Sequence, residues 1–237
     1  MASAPRIKLC GITSLDDAQL AVDAGAWAVG CILWPDSPRA CDPAEAGRIA
    51  SAVHRRAHVC GVFVNAHLDE VTELVDALGL SMVQLHGDEG PAYCGEVARR
   101  TGAKVIKAAA MSTQADVRAL ETFHTDFHML DAHRPGMRGG TGETFDWELV
   151  RARRSSIPLI LSGGLRSENV AEAIAATHPF AVDTASGTES SPGVKDPAKV
   201  AAFVEAVHST AVEVLERPEA DRRSQESDPP TLEAPRR

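Results

Sequence analysis

The sequence predicts a closed (β/α)₈ barrel of the TIM type, and two observations predict it. Short apolar runs rich in Val, Ile and Leu alternate with longer segments of helical periodicity, a pattern typical of βαβ units and a parallel sheet. Eight such units follow one another within about 210 residues, slightly fewer than the roughly 250 usual for this barrel. A doubly wound open sheet is the alternative, but residues 9–14 read LCGITS where that fold ordinarily carries G-x-G-x-x-G.

Each predicted strand is a short apolar run that ends near a glycine or a polar residue. In chain order the strands are IKLC (7–10), WAVGCIL (27–33), HVCGVFV (58–64), MVQLH (82–86), KVIKA (104–108), FHMLD (127–131), PLILSG (158–163) and FAVD (180–183). Helices are predicted between strands because an N-cap residue precedes several of these segments and offers an acceptor to unpaired helix N–H groups. These caps are Ser14, Asp42, Ser167 and Asp196.

Composition limits the class of protein. The chain has 237 residues, of which 44% are hydrophobic, but its start lacks the apolar stretch of a signal peptide and no run of about 18 apolar residues occurs. Its five cysteines are an odd number without a C-x-x-C pair, which argues against a disulfide framework and a thiolate zinc site. The net charge of −9 disfavours nucleic acid and anionic membranes as partners. A soluble cytoplasmic protein is expected.

Two regions are predicted along the chain. Residues 1–216 form the barrel domain, whereas residues 217–237 combine proline with charges and contain almost no large apolar side chain. Such a composition cannot offset the entropy of ordering, so the second region is predicted to be a disordered tail, most simply a solvated extension.

Polar residues collect at the carboxyl ends of the predicted strands, where a parallel barrel places its active site. They are Cys10 after the first strand, Asp36, Ser37 and Arg39 after the second, Asn65 after the third, His86 after the fourth, Asp131 after the sixth and Asp183 after the eighth. Taken alone, Cys10 would be interpreted as a small core residue, since most free cysteines are.

Two glycine-rich turns follow the last strands, LSGGLRSEN (161–169) and DTASGTESSPG (183–193). Bare backbone N–H groups in such turns bind anions, and this place is the frequent phosphate site of the barrel. The sequence therefore predicts that a small phosphorylated ligand binds at Gly163, Gly164, Ser186 and Gly187. Alternatively, these glycines only permit tight turns.

Other chemistries are less well supported. RGGTGETFDW (138–147) lacks the P-loop spacing and is predicted to be a long loop that covers a ligand. No metal site is predicted, because His54 and His58 fall on a helix end and a strand. No G-x-S-x-G motif marks a serine hydrolase.

Eight ordered motifs carry a resemblance to a known family. They are KLCGIT (8–13), DSPR (36–39), GVFVN (61–65), VQLHGDE (83–89), MLDA (129–132), GGTGETFDW (139–147), LSGGLRSENV (161–170) and VDTASGTESSPGVKD (182–196). In this order they resemble the motifs of phosphoribosylanthranilate isomerases. The resemblance implies a barrel that catalyses an Amadori rearrangement in tryptophan biosynthesis, without metal or organic cofactor.

The resemblance also implies roles for individual residues. Cys10 is the general base that removes a proton from C2 of the ribose, and Asp131 is the general acid that protonates the ring oxygen. Arg39 holds the anthranilate carboxylate, while His86 and Asp183 are expected among the substrate-binding residues. A thiol is a suitable base if its pKa is lowered, and an iminium cation beside it would do that.

The sequence departs from the family pattern at two positions. Glu143 stands where a lysine is frequent, and Thr188 where an aliphatic residue is usual.

A histidine-pathway isomerase is one alternative function, either alone or as a second activity. Such an enzyme would need an acidic residue at the end of the first strand, where this chain has Cys10. A non-catalytic barrel that binds phosphorylated ligands is another. The sequence leaves a monomer and a homodimer open.

Overall fold

A closed barrel of eight parallel strands forms the centre of the protein, and it confirms the predicted fold class. The computed structural model describes residues 4–110, 113–131, 150 and 153–216. The strands are β1 (Arg6–Cys10), β2 (Ala28–Ile32), β3 (His58–Phe63), β4 (Met82–Leu85), β5 (Lys104–Ala110), β6 (Phe127–Asp131), β7 (Leu159–Ser162) and β8 (Ala181–Thr184). Each strand is hydrogen bonded to the next, and β8 closes the barrel on β1.

Helices surround the barrel and return the chain from the end of one strand to the start of the next. They are α1 (Leu15–Asp23), α2 (Pro43–Val53), α3 (Leu68–Leu78), α4 (Pro91–Thr101), α5 (Gln114–Leu120), α6 (Val170–Thr177) and α7 (Pro197–Glu216). After β8, a short 3₁₀ helix (Ser186–Thr188) leads to a small antiparallel pair, β9 (Glu189–Ser191) and β10 (Val194–Lys195). No pattern in the sequence predicts this pair, which follows β8 at the open end of the barrel.

Three of the four predicted N-caps are confirmed, and one is wrong. Side-chain oxygens of Ser14, Asp42 and Asp196 accept hydrogen bonds from backbone N–H groups in the first turn of α1, α2 and α7. Ser167 does not cap α6. The side chain of Asn169 accepts from the Arg166 amide at 2.8 Å instead, which closes a turn around Ser167 and delays the helix to Val170.

The inside of the barrel is closed at the N-terminal ends of the strands by aromatic rings. Trp27, Phe127 and Phe180 contact one another with ring centroids 5.3–5.5 Å apart. Above them the interior is lined by apolar side chains such as Met82 and Met129. Polar side chains facing inward therefore have access to solvent only at the opposite end.

Two sequence-based predictions lie outside the described residues: the ligand-covering loop at 138–147 and the tail at 217–237. Within the part of the chain that the structure describes, no helix is long and apolar enough to span a membrane.

Candidate active site

The site is built from side chains that alternate along the strands, because every second residue of a barrel strand faces the interior. Lys8 and Cys10 are two residues apart on β1 and face inward together. Across the sheet, Lys8 lies opposite Asp183 of β8, and Cys10 lies opposite Gly30 of β2. The predicted residues Cys10 and Asp183 therefore belong to one cluster.

A buried ion pair between Lys8 and Asp183 forms the centre of this cluster. The Lys8 Nζ lies 2.7 Å from Asp183 Oδ1, and the Lys8 side chain is fully buried. The Ser162 hydroxyl donates to Asp183 Oδ2 at 3.0 Å. Burial acts to lower the pKa of the Lys8 ammonium, but the charge and hydrogen bond of Asp183, together with Cys10 and Cys60, raise that pKa above its ordinary value. Lys8 therefore carries a permanent positive charge inside the barrel. Asp183, which was expected to bind substrate, has Lys8 and Ser162 as protein partners.

Gly30 leaves room for the cysteine and the lysine. A Cβ at this position would lie 2.8 Å from Cys10 Sγ and 3.2 Å from Lys8 Nζ. Both atoms therefore occupy the space beside a bare backbone, and any larger residue would have to displace them.

The Cys10 thiol is buried and keeps its proton in the resting protein. Burial raises the pKa of this thiol, the charges of Lys8 and Lys195 lower it, and Asp183 raises it again, with a net result above the ordinary value. The expectation of a lowered pKa is therefore not met by the protein alone, so ionisation of Cys10 requires additional positive charge.

Lys195 joins the start of the barrel to the loop that follows its last strand. Its Nζ donates to the carbonyl oxygens of Cys10 at 2.7 Å and Ala185 at 3.0 Å, and it lies 3.5 Å from Glu189 Oε1. Burial lowers the pKa of the Lys195 ammonium, and the charge of Glu189 opposes this. The residue therefore fixes the backbone on which the thiol is carried.

Arg39 lies beside Gly11, and one edge of its guanidinium is already occupied. Its Nε lies 2.9 Å from both carboxylate oxygens of Glu189, and its Nη2 lies 2.8 Å from Oε2. Its Cδ passes over Gly11, where a Cβ would lie only 2.9 Å away. Glu189 thus sets the direction in which the remaining guanidinium N–H groups of Arg39 point.

His86 and Asp131 are brought together at the ends of β4 and β6. The His86 Nε2 lies 3.4 Å from Asp131 Oδ2. On its other side, His86 Nδ1 lies 3.0 Å from the amide nitrogen of Gln84, which is buried one layer deeper in the barrel. Asp131 therefore faces the same interior space as Cys10, because Phe127 and Met129 on alternate positions of its strand line that space.

The two glycine-rich turns also meet at the open end. Gly163 and Gly164 have φ values of 105° and 67°, a region that favours glycine. A Cβ on Gly187 would overlap the carbonyl oxygen of Leu165, so the two turns pack backbone against backbone. Among the described residues, no backbone carbonyl accepts from the amides of Gly163, Gly164, Ser186 or Gly187 outside regular elements. The phosphate site at these amides stays a prediction.

Other polar residues at the strand ends organise loops. The Asn65 side chain accepts from the Asp88 amide at 2.7 Å, and the Asn65 amide donates to Glu89 at 2.8 Å. Ser37 accepts from the Arg39 amide at 3.1 Å, which shapes the turn before that arginine. Asp36 is exposed.

Sequence analysis missed four residues of this site: Lys8, Gln84, Glu189 and Lys195. The signal for two of them was present, because Lys8 and Gln84 each stand two residues before a predicted site residue and so share its face. Glu189 and Lys195 lie on β9 and β10, which no pattern predicted. Among the described residues, no three His, Cys, Asp or Glu side chains lie close enough together to hold a metal ion.

We expect Lys8→Met to raise the pKa of the Cys10 thiol further, because Lys8 lowers it in the native protein. It should also reduce the free energy of unfolding by roughly 3–5 kcal/mol, since Asp183 is left buried without its cation. Thiol absorbance against pH, taken as the difference from Cys10→Ala, measures the first effect, and denaturant unfolding measures the second.

Lys104→Met is the matched control, because the Lys104 side chain is about half exposed at the start of β5, at the opposite end of the barrel from Cys10. Lys8→Met with Asp183→Asn removes both charges and should recover much of the lost stability. An unchanged thiol titration in Lys8→Met would show that Lys8 does not act on Cys10.

Comparison with known proteins identifies the family of this chain. The family model described as N-(5'phosphoribosyl)anthranilate (PRA) isomerase matches residues 7–206. A curated N-(5'-phosphoribosyl)anthranilate isomerase from Citrifermentans bemidjiense is 46% identical over 195 residues, covering 82% of this chain and 93% of that protein.

Solved structures agree with the sequence relatives. The phosphoribosyl anthranilate isomerase of Thermotoga maritima, described elsewhere as dimeric, aligns with a TM-score of 0.77 at 39% identity, covering 86% of this chain and 99% of its own. An isomerase in complex with reduced 1-(o-carboxyphenylamino)-1-deoxyribulose 5-phosphate aligns with a TM-score of 0.74 at 37% identity, with coverages of 86% and 99%. From its sequence and its barrel alike, this chain belongs to the phosphoribosylanthranilate isomerase family.

Proposed function

We propose that the barrel performs its family's reaction with Cys10 as general base and Asp131 as general acid. The reaction converts N-(5-phosphoribosyl)anthranilate to 1-(2-carboxyphenylamino)-1-deoxyribulose 5-phosphate in tryptophan biosynthesis. The observation that carries these roles is that both side chains end strands of one barrel and face the same interior space, beside a cluster of cations.

The first step opens the sugar ring. Asp131 gives its proton to the ring oxygen while the C1–O bond breaks, and the nitrogen lone pair forms a C1=N bond. The product of this step is an iminium cation. His86, 3.4 Å from Asp131 Oδ2, accompanies the carboxylate that remains.

The second step moves hydrogen between carbons. The Cys10 thiol first loses its own proton to solvent at the open end of the barrel. The thiolate then takes the proton from C2, and the electron pair of the C2–H bond becomes a C1=C2 bond that neutralises the iminium nitrogen. The resulting enol then becomes a ketone as its hydroxyl proton leaves and C1 gains a proton. Because burial raises the pKa of the resting Cys10 thiol, the iminium charge adds to that of Lys8 in stabilising the thiolate.

Charge balance suits an anionic substrate, which carries a phosphate and a carboxylate. With Asp131 protonated, as its role as the acid requires, three cations remain against two carboxylates: Lys8, Lys195 and Arg39 against Asp183 and Glu189. The site therefore has a local positive excess in a chain whose net charge is −9. At contact distance this excess outweighs the diffuse negative charge, which salt screens over about 8 Å.

The substrate's two anionic groups have separate binding places in this proposal. The phosphate binds to the amides of Gly163, Gly164, Ser186 and Gly187, which no backbone carbonyl among the described residues occupies outside regular elements. The carboxylate binds to the edge of Arg39 that Glu189 leaves available. His86, which follows β4, and Asp183, which lies in β8 of the same barrel, complete the proposed substrate-binding set.

The oligomeric state and the substrate specificity of this chain are also proposals. The Thermotoga maritima relative is described as dimeric, and we propose a monomer or a homodimer for this chain. Activity on the histidine-pathway substrate would require a second carboxyl group at the end of the first strand, where Cys10 stands.

We expect Cys10→Ser and Asp131→Asn each to lower kcat by roughly 10²- to 10⁴-fold, the usual contribution of a positioned general base or acid. Affinity for a product analogue should stay nearly unchanged, because neither substitution alters the shape of the site. Steady-state kinetics and equilibrium binding measure the two effects. Cys94→Ser is the matched control, since Cys94 is a buried thiol on the outer helix α4.

The pH profile of kcat/KM provides a second readout for Cys10. The active form needs Asp131 protonated and Cys10 ionised. Since the pKa of the Cys10 thiol lies above its ordinary value, the thiol is the group that sets the alkaline limb of the bell-shaped profile.

Neither catalytic variant should restore growth of a tryptophan auxotroph that lacks this isomerase, whereas the native chain should. Growth restored by Cys10→Ala would refute the assigned base, and rescue of the analogous histidine auxotroph would reveal dual specificity.

We expect Gly164→Ala to raise KM because its methyl group would project into the space assigned to the phosphate. A Cβ on Gly164 meets no described atom within 4 Å, so a loss of affinity cannot arise from a clash within the described protein. Gly102→Ala is the matched control, since Gly102 has a similar φ of 65° and similar open space but caps α4. Equal KM values in the two variants, or a product-bound structure with its phosphate elsewhere, would contradict the phosphate site.

Arg39→Lys should raise KM about tenfold or more while changing kcat less, because lysine keeps the charge but loses the planar pair of donors. Steady-state kinetics with the full substrate measures this. Arg48→Lys, at an exposed position on α2, is the control. A native kcat/KM in Arg39→Lys would show that paired recognition of the carboxylate is wrong.

A further inference from the structure

We infer that Gln84 is a positioning residue that fixes the proton of His86 on Nε2 and thereby orients the carboxyl group of Asp131. This inference rests on the role proposed above for Asp131. It adds a residue that touches no reacting atom but decides which oxygen of the acid faces the substrate.

The three side chains form a line from the buried interior to the open end of the barrel. Gln84 lies on β4 with only 2% of its surface exposed. Its amide Nε2 is 3.0 Å from His86 Nδ1, and the opposite nitrogen of the ring, Nε2, is 3.4 Å from Asp131 Oδ2.

The chemistry of the amide determines the tautomer of the imidazole. An amide nitrogen can only donate hydrogen bonds, so Nδ1 of His86 must accept. A neutral imidazole carries one proton on nitrogen, which then has to be on Nε2, the atom facing Asp131.

Gln84 is a polar residue in apolar surroundings, and its contact with His86 Nδ1 is the main reason for an amide at this position. Its neighbours in register on the adjacent strands are Val62 and Ile106, both buried and apolar. Its Oε1 is buried and has no hydrogen-bond partner among the described residues. Since an unsatisfied amide oxygen is unfavourable, an apolar residue would fill this place better if packing alone mattered.

The consequence for Asp131 concerns which oxygen carries the proton. With a proton on Nε2, the His86 N–H faces Oδ2 at 3.4 Å and disfavours a second proton there, so the acidic proton of Asp131 stays on Oδ1. After this proton is transferred to the ring oxygen, the partial positive charge of the same N–H stabilises the carboxylate. With the proton on Nδ1 instead, the bare Nε2 would accept the proton of Asp131 and compete with the substrate.

Nitrogen NMR of the histidine ring tests the inference directly. In native protein with ¹⁵N-labelled histidine, assigned by comparison with His86→Gln, the ring of neutral His86 should carry its proton on Nε2. A proton on Nδ1 in the native protein would overturn the inference, whatever the activity.

Two variants test the link to catalysis. Gln84→Glu offers an acceptor to Nδ1, so the NMR spectrum should show a proton there, and kcat should fall roughly 10²-fold, the scale of a positioned general acid, with little change in KM. Gln84→Met keeps the size without the donor and should show a mixture of tautomers with a smaller loss. Gln19→Glu, on the exposed face of α1, adds the same charge as a control.

The outcomes separate this inference from the proposed roles. Native kcat in Gln84→Glu together with a displaced proton would show that the tautomer does not position the acid. If Asp131→Asn remains active, the assigned acid is wrong, and the positioning role falls with it even if the native tautomer is as expected. If Asp131→Asn is inactive but the native proton is on Nδ1, only the inference on Gln84 fails.

Discussion

The buried ion pair between Lys8 and Asp183 is the interaction on which the rest of the site depends. The two residues lie opposite each other where the last strand closes on the first, so the pair is part of the closure of the barrel. Desolvating two charges is unfavourable, and the geometry must repay it. Here a 2.7 Å contact and a hydrogen bond from Ser162 do so, and they leave a fixed positive charge beside Cys10.

The barrel divides its interior into two parts with different tasks. Aromatic rings and methionines fill the N-terminal part, so no water reaches the charged cluster from that side. The polar side chains occupy the other part, where side chains two positions apart on one strand lie about 6.6 Å apart along that strand. Rigid strands therefore position Cys10 and Asp131, whereas Arg39 and the amides proposed for the phosphate lie on loops that follow the strands.

Sequence patterns predicted the strands well because buried parallel strands are continuous apolar runs that glycine and polar residues terminate. Lys8 and Gln84 were not predicted as site residues, because each is a single polar residue inside an apolar run. Each in fact faces the barrel interior together with the site residue two positions later, Cys10 or His86. Glu189 and Lys195 were out of reach, because their positions depend on β9 and β10, which are too short for any periodicity. Ser167 failed as a cap because Asn169 competes for the same turn, and local patterns do not rank such competitors.

The raised pKa of the Cys10 thiol gives the proposed reaction an order. The active form needs one proton on Asp131 and none on Cys10, yet burial holds a proton on the sulfur until positive charge arrives. Opening of the sugar ring supplies that charge as an iminium cation beside the thiol, close to the charge of Lys8. Ring opening, in which Asp131 acts as the acid, therefore generates the Cys10 thiolate that acts as the base. Proton removal from C2 follows ring opening and does not precede it. An ionised thiol in the resting site would instead be exposed to oxidation and alkylation without benefit to the reaction.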